Sequence, residues 1–160
     1  MTESGGGRAR IVVGVDGSDC SKDALRWAAR QAEFTGATVD AVLAWEFPVF
    51  YGWAPADSED LDFLRFAEQT LAQAVDDVFG PDHPGWLRTR VVEGHAAQVL
   101  VEASAEAGLL VVGSRGHGRF AGALLGSVST YCVHHAHCPV TVIRPASNDA
   151  SPSTPGPARS

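Results

Sequence analysis

Five short apolar runs rich in β-branched residues recur along the chain, and each is separated from the next by a segment of a different kind. No other feature constrains the fold as strongly. Ile11-Val12-Val13-Gly14-Val15 is continuous rather than alternating, the pattern of a strand covered on both faces. Val39 to Trp45, Leu109 to Val112 and Val140 to Ile143 read the same way, as second, fourth and fifth strands. Arg88 to Val92 alternates polar and apolar residues and reads as an edge-like third strand.

The intervening segments carry helical stripes. Ser18 or Asp19 can cap a helix with Leu25, Ala28, Ala29 and Ala32 on one face, ended by Gly36. Leu64, Ala67, Leu71, Ala74 or Val75, and Val78 form a second stripe, stopped by Gly80 and Pro81. Ala96, Val99, Leu100, Ala103 and Ala107 form a third, and Ser127 to His135 reads as a fourth helix. Strands separated by helices predict a single-domain, five-stranded parallel sheet with right-handed crossovers and helices on both faces. Ligands in such α/β sheets sit beyond the carboxyl ends of the strands, where strand order reverses. The loops Asp16-Gly17-Ser18 and Gly113 to Ser127 both follow such ends.

At 160 residues the chain closes a core without staples. Residues 1–9 are small and polar, and residues 146–160 are rich in proline and serine, so both are expected to be disordered tails around a domain at 10–145. A formal charge of −7 argues against a nucleic-acid partner, which needs a basic stripe. Lys22 is the only lysine, which excludes a phosphate loop of the GxxxxGK[ST] type. Cys20, Cys132 and Cys138 form an odd, unpatterned set, and no run reaches membrane length. The expected location is the reducing cytoplasm, with no membrane partner.

Gly113, Gly116 and Gly126-Ser127 admit two readings. They shape an ordinary turn and open a helix, or they let main-chain N–H groups approach phosphates. Glycines permit positive φ and leave room for a ligand, and a helix start offers unpaired N–H groups at the positive end of its dipole. Arg115, His117 and Arg119 would supply counter-charge, and the hydroxyls of Ser127 or Ser129 would add donors.

The chain resembles the ATP-binding branch of the universal stress protein family. The pattern G-x2-G-x9-G-[ST] matches at Gly113, Gly116, Gly126 and Ser127; the opening VGVDGS spans Val13 to Ser18; and HxxCPV runs from His135 to Val140. The resemblance covers about Arg10 to Arg144 and implies a Rossmann-like fold of the adenine nucleotide alpha hydrolase type. It implies that Gly14, Val15 and Asp16 lie beside the adenosine, and that Ala44 and Trp45 line the adenine pocket. It also implies that Gly113, Ser114, Arg115, Gly116, His117, Gly118 and Arg119 wrap ribose and phosphates, with Gly126, Ser127, Val128 and Ser129 completing the cradle. The implied cofactor is ATP, with a divalent cation (Mg or Mn) held mainly by its phosphates and no separate protein cage. A homodimer through strand 139–143 is implied too, and the uncharged run Pro139 to Ile143 points the same way if it lies at a sheet edge.

Other groupings carry less. Cys132, His134, His135, His137 and Cys138 fan around a helix end rather than converge on one tetrahedral point, so no metal site is expected. Phe47, Phe50, Tyr51 and Trp53 either cover the sheet edge or form a flap or partner surface. The expected function is a nucleotide-binding regulator of stress responses. The alternatives are a slow ATP hydrolase or phosphotransferase, for which no oriented acid–base pair is legible, and a nucleotide-free scaffold, against which the intact glycine pattern counts.

Overall fold

The computed structural model describes residues 9–46, 57–116 and 125–145. The expected tails, apart from Ala9, and the aromatic stretch 47–53 lie outside the described residues. Strands β1 (Arg10–Gly14), β2 (Thr38–Trp45), β3 (Leu87–Glu93), β4 (Leu109–Gly113) and β5 (Val140–Ile143) alternate with helices α1 (Asp19–Thr35), α2 (Asp57–Phe79), α3 (Ala96–Ser104) and α4 (Ser127–His135). The sheet order is β3-β2-β1-β4-β5, and every pairing is parallel. The chain therefore steps outward from β1 in one direction to β3, then crosses back to β4 and continues to β5. Strand order reverses between β1 and β4.

Helices α1 and α2 cover one face and α3 and α4 the other. The α1–α2 side buries Val13, Leu25, Val39, Leu71 and Val75 among others, while the opposite side gathers Val12, Val42, Leu100, Leu110, Val112 and Cys132. Alternate residues of the central strands serve the two clusters, which is why those strands are apolar throughout. Both edges fall where the pattern predicts: β3, with its polar alternation, at one side and β5 at the other.

The helix signals act as read. Ser18 caps α1, its Oγ accepting the Ser21 N–H at 3.2 Å, and Gly36 ends it in the left-handed region at φ 74°. Helix α2 stops at Phe79, and both Ala74 and Val75 are buried. The stripe assigned to α3 overruns the helix, which ends at Ser104; the Ala107 N–H donates to the Ser104 carbonyl beyond it.

Cys132 is buried in the α3–α4 cluster, and the loss of solvent pushes its thiol up to about 11. An unfolded thiol ionises near about 8.5. Between these values the unfolded chain releases a proton that the folded chain keeps, so stability falls as pH rises through that window. Urea unfolding from pH 8 to 11 should show this decline in the wild type, and a Cys132→Val variant should show less of it.

Candidate functional site

A cavity of about 230 Å³ opens at the reversal point, beyond the carboxyl ends of β1 and β4. Its apolar wall comes from Val15, from Val42 and Ala44 on β2, from Ala96 and Leu100 on α3, and from Val112. Its polar end is made by Asp16, Gly113 to Gly116, and Gly126 to Ser129. The volume falls just under the roughly 300–1,000 Å³ of ordinary small-molecule sites, a scale that suits one small ligand rather than a polymer.

Ser114 fastens the polar end. Its N–H donates to the Ile143 carbonyl at 2.8 Å, and its own carbonyl accepts the Gly126 N–H at 2.6 Å. The Ser129 hydroxyl donates to the same carbonyl at 3.2 Å and sits 3.0 Å from the Gly126 carbonyl. Ser114 and Ser129 are both buried, so the Ser114 backbone and the Ser129 hydroxyl hold the loop base together. Ser127 is exposed. Gly126 provides no side chain to cap α4, in contrast to Ser18 on α1, and the first turn of α4 lines the cavity with its N-terminus. That end carries the positive pole of the helix and suits an anion.

The three glycines of the pattern sit in tight space and do not take positive φ, with Gly113 the one set against backbone below 3.2 Å. Among the described glycines, Gly17, Gly36, Gly80 and Gly94 take positive φ, and none of the three belongs to that set. A Cβ at Gly113 would stand 2.9 Å from the Cys20 sulfur and 3.1 Å from its backbone carbon. One at Gly116 would stand 2.5 Å from Asp16 Oδ2, and one at Gly126 would stand 3.3 Å from the Ser114 carbonyl oxygen. The reading that positive φ shapes this loop is thus corrected: close packing of loop, α1 and β1 demands the missing side chains.

Asp16 has two contacts at the polar end. Its Oδ1 accepts the Ser18 N–H at 2.9 Å and the Ser18 hydroxyl at 2.5 Å, closing an Asx turn into α1. Its Oδ2 faces Gly116 across the cavity mouth. Arg115 supplies the one cationic side chain in the described lining.

Of the residues singled out from sequence, Gly14, Val15, Asp16, Ala44, Gly113 to Gly116 and Gly126 to Ser129 come together here. Trp45 does not line the cavity; it packs against the α1–α2 cluster on the other face, because neighbouring residues of a strand point to opposite sides. His117, Gly118 and Arg119 lie outside the described residues. Sequence reasoning missed Ser21, Val42, Ala96, Leu100 and Val112. The period-two partner of Ala44 and the i,i+4 pair opening α3 were the available signals. Among the described residues, no three of His, Cys, Asp and Glu gather as metal ligands, and no helix is long and apolar enough to cross a membrane.

Comparison with known proteins agrees with this architecture. Residues 7–144 match the model of the universal stress protein family. The universal stress protein Rv2623 of Mycobacterium tuberculosis is 37% identical over 153 residues, which cover 88% of this chain and 49% of the relative. The chain spans about half the length of the curated relatives it matches. Among solved structures, the universal stress protein UspA from Lactobacillus plantarum superposes with a TM-score of 0.70 at 26% identity, covering 87% of this chain and 99% of that one. A universal stress protein crystallised in complex with cAMP gives a TM-score of 0.54 at 29% identity, covering 87% and 98%. The chain belongs to the universal stress protein family.

Two glycine variants should separate folding from access to the cavity. Gly113→Val meets the backbone of α1 and should cost stability, about 1–3 kcal/mol, as overpacking does. Gly116→Val meets the Asp16 carboxylate and no backbone, and should lower the melting temperature less than Gly113→Val does. Calorimetric melting of both proteins checks the contrast.

Proposed function

We propose that the cavity binds ATP and that occupancy sets the conformation or partners of a cytoplasmic stress regulator. The observation that carries this reading is the open N-terminus of α4, aimed at a cavity whose other end is apolar. An apolar wall suits a purine, and unpaired helix N–H groups suit phosphates without a lysine. The relative crystallised with cAMP supports an adenine nucleotide as the ligand class. A divalent cation would ride on the phosphates, with Asp16 the one carboxylate in the described lining. Asp16 already closes the turn with Ser18, and no second carboxylate or histidine lines the described part of the cavity. This favours a regulator over a hydrolase, which needs a positioned base for its water.

The experiment is direct. Purified protein should release ATP on acid extraction, and titration calorimetry should register ATP binding that Gly116→Val removes while its fold persists. Asp16→Ala should weaken ATP binding by about 1.5–3 kcal/mol, the scale of a charge-assisted hydrogen bond, and should lower the melting temperature through the lost Asx turn. Unchanged ATP affinity in a folded Gly116→Val protein defeats the cradle.

The family domain is taken as residues 10–145, and two copies are proposed to pair through β5. That strand is an edge, and the Leu110 N–H to Pro139 and Ser114 N–H to Ile143 bonds turn its odd-numbered residues toward β4. Val140 and Val142 therefore present their backbone groups outward. Light scattering should give a dimer mass for the wild type and a monomer mass for Val142→Pro, which removes an outward N–H and none from the ladder.

A further inference from the structure

The opposite edge has a different character. The Val39 N–H donates to the Trp86 carbonyl and the Gly94 N–H to the Trp45 carbonyl, at the two ends of the β2–β3 ladder. In a parallel ladder this alternation turns the even-numbered residues of β3 toward β2. Thr89 and Val91 therefore present their N–H and C=O groups away from the sheet, and no strand pairs with that edge among the described residues. Arg88, Thr89 and Arg90 are consecutive and exposed.

Arg88 and Arg90 share the α3–α4 face of the sheet, since Val92, two residues on, packs against that cluster. Asp40 stands opposite Arg88 in the register, but it is engaged by Arg10, whose Nε lies 2.8 Å from its Oδ2. Arg90 Nε reaches the same oxygen only at 3.9 Å, and Arg10 also lies 3.7 Å from Glu106. Arg88 and Arg90 thus stand on β3 beside an Asp40 carboxylate already held by Arg10 of β1, in a chain whose formal net charge is −7. On this face of β3 the exposed side chains Arg88 and Arg90 are both positive, where the molecule as a whole is negative.

We propose that the β3 edge docks an extended acidic peptide segment of a partner protein, which adds as a sixth strand beside β3. Its backbone pairs with Thr89 and Val91, and its acidic side chains, on alternate positions, lie against Arg88 and Arg90. The intervening positions face the Leu87 and Val91 side, where those residues meet the α1–α2 cluster, and apolar side chains fit there. A second copy of this chain is a poor occupant. Antiparallel self-pairing about Thr89 would set Arg88 against Arg90, and directly opposed like charges destabilise a strand pair. The same arginines that repel a copy attract an acidic strand.

The probe is a fluorescein-labelled peptide of alternating glutamate and valine, with a lysine–valine peptide as control, followed by fluorescence anisotropy on the full chain. The glutamate peptide should bind, weaken with added salt, and lose binding to the Arg88→Glu, Arg90→Glu double variant. Thr89→Pro removes one outward N–H and leaves the ladder to β2 intact, a change that edge strands tolerate. It should weaken binding about tenfold, in line with lost backbone hydrogen bonds. Should that variant unfold, a glutamate–valine peptide N-methylated at alternate residues tests the same bonds on wild-type protein. The proposal is overturned if wild-type protein ignores the glutamate peptide or binds the lysine peptide equally. It is overturned equally if folded Thr89→Pro and the N-methylated peptide both retain full binding. A wild-type dimer that Thr89→Pro converts to monomer also overturns it, because a second copy would then hold the edge.

Discussion

The carbonyl of Ser114 is the point on which the site depends. It accepts the Gly126 N–H and the Ser129 hydroxyl, while the N–H of the same residue reaches Ile143. One buried residue thus joins the end of β4, the start of α4 and the end of β5. Without that junction the N-terminus of α4 would have no fixed aim, and its dipole would serve no cavity. Burial makes the bonds obligatory, since a buried carbonyl or N–H left without a partner is costly.

The same junction explains the chemistry at its rim. Drawing the loop this close to α1 leaves no room for a side chain at Gly113 and little at Gly116 and Gly126. The backbone fills that space and forms the polar end of the cavity. Cys20 lies under Gly113 with its sulfur donating to the Ile143 carbonyl at 3.2 Å, so α1 is packed into the same corner. Ser114 therefore links the cavity to edge strand β5, and the proposed nucleotide and the proposed dimer contact would lie on neighbouring ends of one hydrogen-bonded unit. The β3 edge lies at the far side of the sheet, with three strands between it and β5. The two proposed contacts, a second copy at β5 and an acidic strand at β3, would therefore lie on opposite edges of the sheet.

Element types and their order were legible because the governing signals are local. Continuous β-branched runs, helical stripes and the stops at Gly36 and Gly80 depend on neighbours within a few residues, and the boundaries of β5 and α4 follow the reading residue for residue. The glycine spacing and its place after β4 were equally visible, and with them most of the cavity's polar end. The apolar wall was less visible. Val42, Leu100 and Val112 look like any core residue, and only their position beside an opening distinguishes them.

By itself, then, the amino-acid order determined a parallel sheet, the glycine-rich loop beyond the end of β4 where the cavity opens, and a net negative charge with a single lysine. These follow from periodicity, backbone preference and composition, which need no knowledge of distant contacts. Tertiary structure alone decided which face each residue serves. It sent Trp45 to the α1–α2 side while Ala44 opened on the cavity, and it made Asp16 both a turn former and the neighbour of Gly116. It also brought Arg10 of β1 and Arg90 of β3 to Asp40 of β2, with Arg88 opposite Asp40 in the register. The physical reason is that strand pairing and crossover place residues tens of positions apart at van der Waals distance, and a linear pattern records only who is next in the chain.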